Sequence, residues 1–164
     1  MPDQMMPLVY TLAQLVRPRP GSRLLFTFDQ MMDEAVIRKH CPEAKFVSVG
    51  RYLSHRFIWN ADGVAGVTRH RGSAVYGVIW EVEEDVIATL DIQYGVPDRF
   101  DRYGALIRGI NDELATAEYF GPRNHRNGKR NVGELLRIID LASRHNFPTA
   151  YVEELMGWFP PPVE

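Results

Sequence analysis

From residue 22 onward the chain passes between strand and helix signals without a regular βαβ rhythm, and that order constrains its fold more than any other feature. Residues 23–28 (RLLFTF) form a short apolar run suited to a buried strand. Met32, Ala35 and Val36 give residues 31–40 a helical period, which Cys41-Pro42 stops. Residues 45–59 are rich in Val, Phe, Tyr and Ile and end in Asn60-Ala61-Asp62-Gly63, a strong turn signal. Residues 73–82 predict another strand, in which Gly77 marks a bend or a close backbone approach. A helical period returns over residues 83–93 through Val86, Ile87 and Leu90, followed by short strands around 105–110 and 115–120. A polar loop over residues 121–130 leads into the clearest helix. Asn131 is its N-cap, Glu134 holds the capping-box position, and Val132, Leu135, Leu136, Ile139 and Ala142 form its buried stripe. Asn146-Phe147-Pro148 breaks that helix, and Thr149 opens a final short one through Leu155.

At 164 residues the chain is long enough for one domain with a self-sufficient core. A net charge of −2 argues against a general nucleic-acid binder, which carries a basic excess or a basic face. The single cysteine, Cys41, excludes an internal disulfide framework and any multi-cysteine zinc site, and it is compatible with a reducing cytoplasm. Residues 7–16 have the apolar character of a signal peptide, but Asp3 precedes them instead of a basic cluster and Arg17-Pro18-Arg19-Pro20 follows. They read instead as a short helix with Leu8, Leu12 and Leu15 on one face, a docking element, a frayed arm or a helix offered to a partner protein. No stretch approaches the roughly 20 apolar residues that span a bilayer. The expected organisation is an arm and proline-rich linker over residues 1–20, then a domain over 21–164.

Generic catalytic motifs are missing from the sequence: there is no GxxxxGK[ST], HExxH, GxSxG or paired CxxC. The neighbours His40 and Cys41 read as structural, since two adjacent residues make no ligand set. Glu81, Glu83, Glu84 and Asp85 sit where a helix begins and favour its dipole more than a metal. Arg123, Arg126, Lys129 and Arg130 cluster in a Gly/Asn-rich loop, either solvated or offered to an anion or acidic partner.

Five segments taken in order carry a resemblance. Residues 25–32 (LFTFDQMM) are similar to a YFAYGSNM segment, and residues 52–60 (YLSHRFIWN) to a "gyrl.Fn" strand. Residues 72–80 (GSAVYGVIW) are similar to GSSVWGVLW, and residues 90–96 (LDIQYGV) to LDxxEGV. Residues 135–155, with Phe147-Pro148 and Tyr151-Val152, match a "gLP.dYi..L" pattern. Together they cover residues 22–156 and resemble the γ-glutamylcyclotransferase-like (AIG2-like) family. The resemblance implies an α+β fold, a small mixed β-barrel or curved sheet with surrounding helices. It also implies a pocket for a γ-glutamyl group, in which one glutamate relays a proton as the substrate's α-amine attacks its own γ-carbonyl, releasing 5-oxoproline and an amine. Neither cofactor nor metal is implied.

The positions that carry this chemistry have changed. The family's glutamate falls at Tyr94, the candidate catalytic position. A phenol ionises near pH 10, so forming that base at neutral pH costs about 4 kcal/mol. The family's YGSN becomes Phe28-Asp29-Gln30-Met31, and Asp29 puts an anion where a substrate carboxylate would sit on backbone N–H groups. Asp29 also suits the N-cap of the 31–40 helix, and an acid there favours a cationic or amide group. Met31 replaces a hydrogen-bonding Asn with soft apolar surface. Tyr119 matches a tyrosine that lines the family's pocket. The expected ligand-binding set is Thr27, Phe28, Asp29, Gln30, Met31 and Tyr119. Asp91, one helical turn before Tyr94, reads as structural. The leading expectation is a soluble, cytoplasmic protein that binds a small amino-acid, amine or amide ligand without glutamate-dependent 5-oxoproline formation. The alternatives are a transferase-like enzyme on amide substrates with an altered mechanism, and a non-catalytic assembly subunit. No nucleic acid or membrane is expected as a partner, while a homodimer or protein partner would engage the N-terminal arm.

Overall fold

The structure, a computed structural model, describes residues 15–159. Strand β1 (Leu15–Val16) precedes β2 (Ser22–Thr27), a 3-10 turn (Gln30–Met32) and helix α1 (Glu34–His40). The long strands β3 (Lys45–Trp59) and β4 (Ala65–Glu83) follow, then helix α2 (Glu84–Tyr94). Strands β5 (Phe100–Gly109) and β6 (Leu114–Pro122) lead to helices α3 (Val132–Arg144) and α4 (Thr149–Met156).

Strands β2 to β6 close into a barrel in the order β2-β4-β3-β5-β6, with β6 returning to β2. All contacts around the ring are antiparallel except β6–β2, where Leu25 faces Glu118 in parallel. Closure removes the free edges that an open sheet of these strands would present. Trp59, Phe26, Phe57, Ile79 and Ile107 fill the interior, each at most 1% exposed. Gly77 makes the close approach its position suggests: a Cβ there would overlap the Thr27 carbonyl and the Phe26 ring. Beside it, the buried Trp80 indole donates to Thr27 Oγ1 at 3.0 Å, and that hydroxyl donates to the Val78 carbonyl at 3.1 Å.

The helix expected over residues 31–40 is two elements. Asp29 caps the 3-10 turn by accepting from the Met31 N–H at 3.0 Å, while Asp33 caps α1 through the Ala35 N–H at 2.9 Å. Asp33 is extended (φ −82°, ψ 122°), which breaks the helix between them, and Met32 and Ile37 face the core instead of Ala35. Strand β4 starts well before residue 73 because its polar stretch around Thr68–Arg69 is held by the ladder to Arg56 and His55 of β3. In α3 the buried stripe is Leu135, Ile138, Leu141 and Ala142, with Val132 and Leu136 exposed. Neighbouring apolar pairs there (Leu135/Leu136, Ile138/Ile139) offer two stripes of equal period, and packing on the barrel chooses one.

Leu8 and Leu12 lie outside the described residues. Leu15, expected on a helical face with them, is in β1, which pairs in parallel with Leu114–Ala115 of β6. No helix among the described residues is long and apolar enough to cross a membrane.

Candidate functional site

The loop leaving β2, the last residue of α2 and the first turn of α3 meet around a cavity of about 290 Å³. Asp29, Gln30, Met31, Tyr94 and Glu134 line it, together with His40, Val64, Gln93 and Phe100. Four residues expected to bind ligand or act in catalysis (Asp29, Gln30, Met31 and Tyr94) are thus in one place. Thr27, Phe28 and Tyr119 are not among its walls. Thr27 is bonded to Trp80 and Val78. Phe28 is 3% exposed and packs edge-on against Tyr119 at 6.0 Å. Tyr119 in turn stacks on Tyr103 at 5.2 Å. Phe28 and Tyr119 belong to the barrel's aromatic cluster, while Thr27 and Phe28 also line a small neighbouring void with Asp29, Met31, Tyr94 and Phe120.

Tyr94 is placed by helix geometry. It is the C-terminal residue of α2, which Gly95 ends in the left-handed conformation (φ 73°), a backbone state glycine adopts without strain. Its ring stacks on Phe120, centroids 4.4 Å apart and 8° from parallel. Burial pushes the phenol further above its ordinary value, and the charges of Asp29, Cys41 and Glu134 act in the same direction. Burial and these charges therefore favour the neutral phenol.

The carboxyl that can titrate is Glu134, which the sequence pattern presents only as a cap residue. Half of the capping box forms, with the Glu134 N–H donating to Asn131 Oδ1 at 3.1 Å. The Glu134 side chain makes no return bond and lines the cavity instead. Burial, then the charge of Asp29, raises its pKa to about 7, against a lowering by Arg137. Burial likewise raises Asp29 above the usual carboxylate range, opposed by the N–H groups of Met31 and of Asp29 itself. Arg137 also donates to Gln30 Oε1 at 3.3 Å, which ties α3 to the 3-10 turn beneath the pair.

His40 and Cys41 part company. His40 is exposed and lines the cavity, whereas Cys41 is 1% exposed in the core, where burial pushes its thiol up to about 11. A thiol so placed is not a nucleophile at neutral pH. Glu134 and His40 were not legible as cavity residues, since an acid in a first helical turn reads identically whether it caps or faces a ligand. Asp91 is paired: its Oδ2 lies 2.5 Å from Arg102, which also reaches Glu118 at 2.7 Å.

Chemically, the arrangement is a small cavity with two carboxyl groups and no lysine or arginine among its lining residues. One of those carboxyls exchanges its proton near neutrality, as general acid–base chemistry requires.

No protein-family model matches the sequence, and no curated protein matches it either. Solved structures do. An uncharacterized protein from Homo sapiens superposes with a TM-score of 0.78 at 20% identity, covering 88% of this chain and 92% of that one. A γ-glutamyl cyclotransferase gives 0.77 at 20% identity over 85% of this chain and 89% of that one. A γ-glutamyl cyclotransferase specific to glutathione from yeast gives 0.59 at 7% identity over 84% and 95%. The chain has the γ-glutamylcyclotransferase-like fold, a closed five-stranded barrel with helices around it.

Proposed function

We propose that the chain binds a small molecule through a cationic amine or an amide nitrogen in the Asp29–Glu134 cavity, without Tyr94-dependent 5-oxoproline formation. The observation that carries this reading is the pair of carboxyls facing one cavity that no lysine or arginine lines. An ammonium would relieve the burial cost of both acids, while a ligand carboxylate would add a third negative charge. Tyr94, Phe100, Met31 and Val64 supply apolar walls for the rest of the ligand. Thermal shift against primary amines, amides and amino acids tests it: amines and amides should raise the melting temperature, and simple dicarboxylates should not. Stabilisation by dicarboxylates alone would overturn the reading.

A second reading, an enzyme on amide or γ-glutamyl-like substrates, is favoured by one observation, the Glu134 pKa of about 7. Here Glu134, not Tyr94, takes the proton of an attacking amine and returns it to the leaving nitrogen. Incubation with γ-glutamyl amines separates the two. Release of 5-oxoproline by the unaltered chain, lost in Glu134→Gln, supports the enzyme and sinks the pure binder. The third expectation, an assembly subunit docked through Leu8, Leu12 and Leu15, rests on Leu8 and Leu12, outside the described residues, and on Leu15 of β1, which pairs with Leu114.

A further inference from the structure

A second cavity, of about 280 Å³, lies between β3, β4, β5 and the turn joining α3 to α4, and it shares no lining residue with the first. Arg51 of β3 and Arg108 of β5 both line it, and the antiparallel register sets them directly opposite each other. Residues so paired share a face with their Cβ atoms about 5 Å apart, and like charges there are destabilising. Gly50 and Gly109, the adjacent pair, leave no side chain between the strands at that point.

One carboxylate stands beside the two guanidiniums and bonds only one of them. Arg51 Nη2 donates to Asp112 Oδ1 at 3.0 Å, while Arg108 Nη1 reaches only the Asp112 backbone carbonyl, at 3.4 Å. Asp112 sits at the tip of the β5–β6 hairpin, its side chain 70% exposed and its backbone left-handed (φ 60°). The next acid, Glu113, is occupied with the Asn111 N–H at 2.8 Å and packs over Gly109. The Arg51–Arg108–Asp112 group keeps one net positive charge facing the cavity. Tyr76 and Phe147, ring centroids 5.8 Å apart, and Pro148 make its apolar walls.

We propose that this cavity binds a small organic oxyanion, a carboxylate or phosphate carried on a flat apolar body. Arg108 grips the oxygens, joined by Arg51 as it releases Asp112, and the body lies against Tyr76 and Phe147. Guanidinium forks suit both oxyanions, since each offers two coplanar acceptors. Asp112 then acts as an internal competitor for Arg51.

Calorimetric and amide-NMR titrations with benzoate and with phenyl phosphate test this, and the tighter probe identifies the head group. The expected result is saturable millimolar or tighter binding of at least one probe, with shifts at the amides of Gly50, Gly109 and Asn146. Arg108→Gln should weaken that binding at least tenfold, and Asp112→Asn, whose amide tolerates the left-handed backbone, should tighten it at least threefold. Glu134→Gln should leave it unchanged. If Arg108→Gln does not fold, Arg108→Lys replaces it, with at least threefold weakening expected from loss of the fork. Absence of saturation by both probes at about 20 mM, roughly tenfold weaker than the millimolar binding expected, overturns the proposal. So does unchanged affinity in the Arg108 variant, or failure of Asp112→Asn to tighten binding.

Discussion

Carboxylates are held in two opposite ways at two neighbouring places along helix α2. On the barrel wall they alternate with guanidiniums: Asp91 meets Arg102 at 2.5 Å, Arg102 meets Glu118 at 2.7 Å, and Glu118 meets Arg23 at 2.9 Å. Arg23 continues the chain to Glu84, also at 2.9 Å. In the cavity, burial raises both Asp29 and Glu134, Glu134 also feels the charge of Asp29, and Arg137 moderates Glu134. Asp91 and Tyr94 stand one turn apart on α2, so a single helix contributes to both settings. Where every acid has its partner, charge joins β2, β5, β6 and α2 into one wall. Where acids lack partners, folding has kept a cost that a ligand or a proton can relieve.

The largest expected effect comes from breaking the paired side. Arg102→Met strands Asp91 and leaves Glu118 with Arg23 alone, both acids about three-quarters buried, and should cost about 2–3 kcal/mol. That is a fall of roughly 5–10 °C in melting temperature for a domain of this size, read by calorimetry. Amine binding in the cavity should survive in the folded fraction. A variant as stable as the parent would end the distinction between the two settings.

Next in size is the unpaired side. Asp29→Asn keeps an oxygen to accept the Met31 N–H but removes the charge, so amine affinity should drop about tenfold, near 1.4 kcal/mol. Stability should hold or rise, because the ionised Asp29 is disfavoured by burial. A loss of stability matching that of Arg102→Met would place Asp29 with the structural acids.

Glu134 sharpens the contrast through pH. Its pKa is 4.5 ordinarily and about 7 when folded, so between those values the folded chain holds more protons than the unfolded one. The stability it contributes is complete below pH 4.5 and is lost as pH rises through about 7. Glu134→Gln should flatten that slope and raise the melting temperature by roughly 2–5 °C at pH 8, with little change at pH 4. Parallel pH profiles for the two proteins would show that the carboxyl is solvated like any surface acid.

The two settings were not equally readable. Strands and helices followed from apolar period, and the α+β barrel followed from five short resemblances in the right order. Asp91 was legible as structural because its place beside Tyr94 in the LDIQYGV segment already suggested a strut. The phase of α3 was not, since Leu135/Leu136 and Ile138/Ile139 satisfy two stripes alike and only the barrel breaks the tie. Glu134 went unseen for the same reason at the level of one residue. Whether a first-turn acid bends back to its cap or outward into a cavity depends on what the fold places opposite it, here the β2 loop more than a hundred positions earlier. Phe28 and Tyr119 pack against each other in the barrel, and Thr27 bonds to Trp80, contacts that strand signals alone do not show.

The smallest effect belongs to the residue that looked most important in the sequence. The sequence resemblance puts a glutamate at Tyr94, whose phenol is held protonated by burial and by the charges of Asp29, Cys41 and Glu134. The contribution of Tyr94 is the ring, stacked on Phe120 and tilted against Phe100 at 5.1 Å, which Phe would reproduce. Tyr94→Phe should therefore change stability by less than about 0.5 kcal/mol and amine affinity by less than about twofold, in the range of a single exposed hydrogen bond. Tyr94→Glu is the informative opposite. A third carboxyl beside Asp29 and Glu134 would push all three pKa values up, lowering stability above pH 7 while strengthening amine binding. If Tyr94→Phe instead abolished a measured turnover, the phenol would be a catalytic group and Glu134 would lose that role.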